Sequence, residues 1–249
     1  WQTGTSVARS FGPLTLAGDL ALTDLDDLRG ALAADPDADP AALVLAAWRR
    51  WGVEALDRLC GGFAFALWDA RVRRLTVVRD RFGIQPLAYA TTQNRVVVAG
   101  DLSTVLAGLD SLPETDRAWV AGFLSGRPLD AVGTAWKGVL RLPPGHLMVV
   151  EPDGSTTLRP WYRLERSAPP EARDAGAALH AALAHATRQA CAEAPTATML
   201  SGGLDSSTLA LLSVGPDAPA PCPRPALSLR YDDPAMDEGR YIEDVLRQS

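Results

Sequence analysis

Residues Ser201-Gly202-Gly203-Leu204-Asp205-Ser206-Ser207 place two glycines, three hydroxyls and one carboxylate in seven consecutive positions. A glycine pair lets the backbone turn without Cβ clashes, so that several amide N–H groups point into one concavity. Such a nest binds phosphate, and a helix that follows adds partial positive charge at its amino end. The hydroxyls of Ser201, Ser206 and Ser207 donate to the same oxygens. Asp205 is out of place among anion ligands unless it holds Mg²⁺, which neutralises a leaving pyrophosphate. A Walker A loop needs Gly-x-x-x-x-Gly-Lys-Ser/Thr, and the sole lysine is Lys137, so kinase and GTPase chemistry fall away. An ordinary turn capped by its own first residues accounts for one polar side chain here, not for four beside a glycine pair.

The elements around this loop must hold it. Thr196 to Leu200 reads as a strand, Ser206 to Ser213 as an apolar helix, and Ala226 to Tyr231 as a strand after a Pro-rich loop. Strand, turn, helix, strand opens a parallel α/β domain. An alanine-rich helix from Glu171 to Ala192, apolar at 179, 183 and 190, precedes it behind the linker Ser167-Ala168-Pro169-Pro170. Upstream the period is two. A strand within Pro13 to Leu25 is followed by a helix from Asp24 to Ala34 behind an acidic cap, and Asp39 caps a helix from Ala41 to about Trp51 with Pro40 at its first position. Gly62 to Asp69, Arg74 to Asp80, Arg95 to Ala99 and Leu147 to Val150 read as antiparallel strands, the last entering a hairpin at Pro152-Asp153-Gly154. Leu102 to Leu109 and Asp116 to Leu124 are short helices.

A chain of 249 residues, 47% hydrophobic and 22% charged, is long enough to bury a core, and this excludes a disordered or collagen-like protein. A net charge of −6 gives no reason to expect nucleic acid or an anionic membrane as partner. No apolar run is long enough to span a bilayer, and Trp1 to Gly4 is not the start of a secretory signal, so a cytoplasmic protein is expected. Cys60, Cys191 and Cys222 are odd in number and far apart, which indicates neither a disulfide framework nor a zinc site.

The loop SGGLDSS after an apolar strand resembles the pyrophosphate loop of the ATP-pyrophosphatase domain in the asparagine synthetase family. Gly61 to Asp69 (GGFAFALWD) and Arg79 to Leu87 (RDRFGIQPL) resemble the signature of that family's amino-terminal glutaminase domain. Leu142 to His146 (LPPGH) and Asp232 to Glu238 (DDPAMDE) also match family segments, so the resemblance runs from Leu16 onward. It implies an α/β protein of two domains. Residues 1–166 would form an Ntn-type glutaminase-like antiparallel sheet sandwich with flanking helices, and residues 167–249 the beginning of a parallel-sheet ATP-pyrophosphatase domain. It also implies ATP and Mg²⁺ as cofactors. Ser201, Gly202, Gly203, Asp205, Ser206 and Ser207 would hold pyrophosphate, Asp205 being the metal ligand and catalytic residue, and backbone groups of Leu200 and Leu229 would flank the adenine or ribose.

The departures from the family are informative. Family glutaminases use an amino-terminal cysteine, an Arg loop and an Asn-Gly-Glu triplet that grips glutamine. This chain begins at Trp1, has no cysteine before Cys60 and no Arg-Gly-Pro-Asp segment, and carries Ala17-Gly18-Asp19 at the triplet. The glutamine-binding aspartate falls near Asp39 or Pro40. Ala17 cannot donate to an oxyanion or a substrate amide, so the glutaminase domain is expected to be degenerate. Relatives with this lesion include β-lactam synthetases and lasso peptide cyclases, which use an amine already present in the substrate. The resemblance therefore implies a cyclase that adenylates an Asp or Glu side chain of a precursor peptide and lets the peptide's own α-amine attack, working beside a leader-binding protein and a leader peptidase. The alternatives are β-lactam synthesis, glutamine-dependent asparagine synthesis with the nucleophile outside this chain, and an inactive scaffold binding a partner or leader peptide. The family's later catalytic lysine and its second Ser/Gly loop are not in the sequence, so these residues alone are expected not to catalyse.

Other chemistry-bearing residues have plainer roles. Cys60, Cys191 and Cys222 read as small core hydrophobes. His180 and His185 are five apart and lie on different helix faces, unsuited to a shared metal. His146 reads as a loop residue, Trp48, Trp51 and Trp68 as core, Arg71 to Arg74 as a solvated turn, and Asp237 and Glu238 as charge at a helix amino end.

Overall fold

Asp39 sits in extended backbone and accepts the Ala42 N–H at 2.9 Å, while Pro40 occupies the first turn, so helix α2 (Pro40–Trp51) starts where its local chemistry dictates. Our computed structural model describes residues 5–127, 130–165, 172–191, 196–215 and 225–248. Cys222 and the linker 167–170 lie outside them. The chain divides into two compact units, residues 1–165 and 166–249.

In the first unit, six antiparallel strands form one sheet: β1 (Thr5–Phe11), β2 (Leu14–Thr23), β3 (Cys60–Asp69), β4 (Arg74–Arg79), β8 (His146–Val150) and β9 (Thr156–Pro160), in that spatial order. A second sheet has β5 (Ala88–Thr91) between β6 (Val96–Ala99) and β7 (Val139–Arg141). Alternation along each strand decides what covers which face. On β3, Phe63, Phe65 and Leu67 face a cluster with Leu14, Leu16, Leu20 and Leu22 of β2, α1 (Leu25–Leu32), α2 and a 3-10 turn (Gly52–Arg58). Ala64 and Ala66 face the other way, joining Val77, Met148, Tyr89, Val96 and Val98 between the two sheets. The far side of the second sheet, with Ala88, Ala90 and Val97, packs on α3 (Leu102–Ala107) through Val105, Leu102 and Leu106. The unit is thus a helix–sheet–sheet–helix sandwich, the antiparallel, helix-flanked α/β architecture expected. A further helix, α4 (Arg117–Leu124), is capped by Asp116, which accepts the Trp119 N–H at 3.0 Å.

Several expectations are corrected. Asp24 does not cap α1 with its side chain, because its own backbone is left-handed at φ 56°. His146 is the first residue of β8, its Nδ1 hydrogen-bonded to the Pro144 carbonyl at 2.8 Å. Trp48 and Trp51 pack on the core, but Trp68, near the end of β3, is 39% exposed. β1, β5 and β7 carry no alternation long enough to announce them.

In the second unit, α5 (Ala172–Cys191) precedes β10 (Thr198–Met199), α6 (Leu204–Val214), β11 (Ala226–Leu227) and α7 (Gly239–Leu246), with β10 parallel to β11. α5 buries Ala184 and Thr187, not Leu179, which is 61% exposed, and α6 packs on it. β11 stops at Leu227 rather than Tyr231; the Tyr231 N–H donates to Asp237 Oδ1 at 3.2 Å, which turns the chain away from the strand. Among the described residues, no helix is long and apolar enough to cross a membrane.

Candidate functional site

The loop 201–203 leaves the carboxyl end of β10 and enters α6. The parallel pair fixes its start: Thr198 N donates to Pro225 O at 3.0 Å and Leu200 N to Leu227 O at 2.9 Å, and Leu200 is 2% exposed. Ligands of open α/β sheets bind outside the carboxyl ends of the strands, which is where this loop lies. Gly202 takes φ +78°, a conformation that disfavours any side chain, and Gly203 is the residue before the first turn of α6, with no side-chain cap.

The loop is braced from inside by two of its own serines. Ser206 Oγ accepts the Ser201 N–H at 3.2 Å, lies 2.9 Å from Ser201 Oγ, and is within 3.2 Å of the Gly203 carbonyl. Ser207 N donates to Gly203 O at 3.0 Å, the first helical bond. The amides of Leu204, Asp205 and Ser206 precede that bond and belong to the set a helix cannot satisfy internally. Ser207 Oγ is shielded from solvent with no hydrogen-bond partner, so it is turned away from the open side of the loop. Asp205 is exposed in the first turn. Leu229 is 67% exposed, two residues past the end of β11.

Among the described residues, no group of three or more His, Cys, Asp or Glu converges on a point that could hold a metal. Asp205 offers a single carboxylate, whose oxygens are hard ligands. That donor set fits Mg²⁺ arriving with phosphate oxygens and water, since Mg²⁺ is commonly held by one or two carboxylates plus substrate phosphates.

The sequence reading overlooked what seats the loop. A methyl group at Gly202 would lie 2.5 Å from Tyr241 Cβ and 3.0 Å from the Ile242 amide, so α7 touches the crest. The apolar residue Ile242 behind Asp237-Glu238 was the available signal. Asp237 is not simply helix-end charge: it forms a two-point ion pair with Arg230, both bonds 2.8 Å. That guanidinium, first of all, holds the carboxyl down at about 2. Glu238, the residue before α7, makes no side-chain cap.

In the first unit, Ala17-Gly18-Asp19 lies on β2 opposite Ala64 to Ala66 of β3. Ala17 is exposed and bears no hydrogen-bonding group, while Asp19 accepts from the Ser6 hydroxyl. Asp39 is committed elsewhere, to the α2 amide and to Arg9. Cys60 is partly buried, and burial, followed by the nearby Asp24 carboxylate, raises its thiol pKa, opposite to what a nucleophile needs. The run RDRFGIQPL (Arg79 to Leu87) is a brace. Asp80, 1% exposed, accepts the N–H groups of Phe63, Phe82, Ile84 and Gln85 at 3.3, 3.1, 2.9 and 2.9 Å. Arg79 donates to the carbonyls of Gln85, Leu142 and Gly83 at 2.8, 2.7 and 2.9 Å.

Residues 25–162, more than half of the chain, match the family model of the glutamine amidotransferase domain, and residues 178–249 match that of asparagine synthase. The chain is 29% identical over 175 residues to asparagine synthetase [glutamine-hydrolyzing] 3 of Bacillus subtilis (strain 168), covering 70% of this chain and 28% of that protein. It is 32% identical over 184 residues to amidase chyE of Penicillium rubens, covering 68% and 25%. A putative asparagine synthetase [glutamine-hydrolyzing] of Mycobacterium bovis is 32% identical over 203 residues, covering 76% and 30%. The chain thus spans between a quarter and a third of the length of these relatives.

Proposed function

The chain belongs to the asparagine synthetase family, a glutamine amidotransferase domain followed by an asparagine synthase segment, and from that premise we propose that the whole protein joins a carboxylate to an amine using ATP. The observation that carries this reading is the Ser201–Ser207 loop at the amino end of α6. A substrate carboxylate oxygen attacks the α-phosphorus, and the bond to pyrophosphate breaks. An amine then attacks the acyl carbon, AMP leaves with the bonding electrons, and the amine gives up a proton. The first-turn amides of α6, in a loop braced by the Ser201 and Ser206 hydroxyls, hold the departing pyrophosphate where its charge develops. Asp205 would hold Mg²⁺, which neutralises part of that charge, and backbone groups at Leu200 and Leu229 would face the nucleoside.

The amine comes from the substrate in this reading. Ala17 offers no donor where the family's triplet offers an amide, and Asp39 is tied to Arg9 and α2. Delivery of ammonia from glutamine loses both groups. A lasso peptide cyclase fits this pattern: the carboxylate is an Asp or Glu side chain of a precursor peptide, the amine its α-amine, and the product a macrolactam. A leader-binding protein and a leader peptidase would be its partners. A second reading, glutamine-dependent asparagine synthesis, is favoured by the names of two of the relatives above.

The test uses the full-length protein with ATP, Mg²⁺ and a leaderless precursor peptide, in parallel with Asp205→Ala, following pyrophosphate release and peptide mass. The expected result is loss of one water from the peptide, abolished in the variant. Asparagine formed from aspartate with the peptide unchanged selects the second reading. Absence of pyrophosphate release with every carboxylate tried refutes both.

A further inference from the structure

We propose that α7 is a positioning element for the Ser201–Ser207 loop, and that the Arg230–Asp237 ion pair fixes α7 at the height the loop requires. The inference rests on the reading of this loop as the pyrophosphate site. Its basis is a continuous set of contacts in the second unit. The Gly202 crest lies directly on the first turn of α7, as close as its lack of a side chain permits: a Cβ there would stand 2.5 Å from Tyr241 Cβ and 3.0 Å from both Ile242 N and the Tyr241 carbonyl carbon. Ile242, on the same turn, is 5% exposed, so the turn is held in a buried position.

The start of α7 is held in turn. Arg230 Nε and Nη2 each donate to Asp237 at 2.8 Å, a planar two-point pair, and Asp237 Oδ1 also accepts the Tyr231 N–H at 3.2 Å. The turn between them is closed by the N–H groups of Met236 and Asp237, both donating to Asp233 O at 3.0 Å. The guanidinium lies across the first residue of the helix, where a methyl on Gly239 would meet Arg230 Nη2 at 2.2 Å. The path therefore runs from β11 through Arg230 and Asp237 to α7, and from Tyr241–Ile242 to Gly202. Because Gly202 stands two residues before α6, a shift of α7 re-aims the amides that must converge on the ligand. Misplacement of about 1 Å is enough to matter at such a site. Arg230, Asp237 and Tyr241 are positioning residues, with no contact to substrate required of them.

The experiment measures binding of inorganic pyrophosphate with Mg²⁺ to the full-length protein by calorimetry, for wild type, Asp205→Ala, Arg230→Met, Asp237→Asn, the Arg230→Met/Asp237→Asn double variant and Arg230→Lys. Thermal midpoints are recorded alongside. Each single clamp variant is expected to weaken binding by about two- to fivefold, the scale of one partly exposed ion pair transmitted to the site. The double variant should be no weaker than either single, because both break one pair. Arg230→Lys should recover part of the affinity, since it keeps the charge without the planar fork. Lower thermal midpoints with wild-type affinity would mean a purely structural pair and overturn the proposal, as would effects that multiply in the double variant. If wild type binds and Asp205→Ala weakens binding while the clamp variants do not, this inference alone falls. If wild type does not bind pyrophosphate, the reading of the loop fails and this inference with it.

Discussion

Asp80 offers the sharpest quantitative test of how the first unit is held. Its carboxylate is 1% exposed and accepts four backbone N–H groups, of which those of Phe63 and Gln85 are buried and those of Phe82 and Ile84 partly so. In Asp80→Ala the two partly buried amides find water, whereas the two buried ones have no replacement acceptor. Each buried orphan costs about 1–3 kcal/mol, so the loss is about 2–6 kcal/mol. Against a typical unfolding free energy of about 5–15 kcal/mol this is a large fraction, and it corresponds to a fall in midpoint of about 4–24 °C. Asp80→Asn keeps one acceptor oxygen but turns an NH₂ toward amides that themselves donate, so it should cost about 1.5–3 kcal/mol. Urea unfolding of the chain followed by tryptophan emission reads both variants. The main-chain bonds of residue 80 to Phe63 O and from Gly145 N, each 2.8 Å, are untouched by either change. If Asp80→Ala unfolds within about 0.5 kcal/mol of wild type, the region rearranges to satisfy its amides and the reasoning from unmet hydrogen bonds is wrong.

Phe63 is fully buried and stacks against Trp161 at 6.0 Å and beside Phe65 at 5.8 Å. Phe63→Ala should cost about 3–5 kcal/mol in the same urea experiment, with an unchanged dependence on denaturant. Asp101 caps α3: the Ser103 hydroxyl, followed by the Thr104 amide and hydroxyl, lowers its carboxyl from 3.8 to about 2. A folded-state value below the unfolded one means that the stabilisation is present above about pH 4 and is lost as pH falls through about 2. Asp101→Asn should flatten the dependence of the thermal midpoint on pH across that window, and an unaltered profile would refute the assignment.

How much of this was legible in the sequence depended on how local each cause is. Asp39 and Pro40 start α2, and Asp116 starts α4, through partners within three residues, so the sequence placed both helices correctly. The same logic misjudged Asp24, whose side chain is a capping type but whose backbone is left-handed at φ 56° rather than extended as a capping residue's is. Alternation on β3 was readable because both faces are buried, large residues toward the helices and small ones toward the second sheet. β5 and β7, of four and three residues, are too short to show a period. In α5 the spacing of Leu179 suggested a buried face, but the buried positions are Ala184 and Thr187. Helix periodicity says that a stripe exists, and only the neighbour decides which stripe is covered.

The sequence by itself determined the chemistry of the Ser201–Ser207 loop, because glycine's freedom, the hydroxyl donors and the lone carboxylate are properties of consecutive residues. It also determined that residue 17 brings no side-chain hydrogen bond, since no fold can give alanine one to make. The tertiary structure decided what steadies these residues. That Gly202 is pressed on Tyr241, that Arg230 reaches Asp237, and that Asp80 gathers amides from β3 and its own loop all depend on contacts between separated segments. Such contacts form only when burial of apolar surface repays the entropy of closing the intervening chain, and that balance belongs to the packed molecule rather than to any window of its sequence.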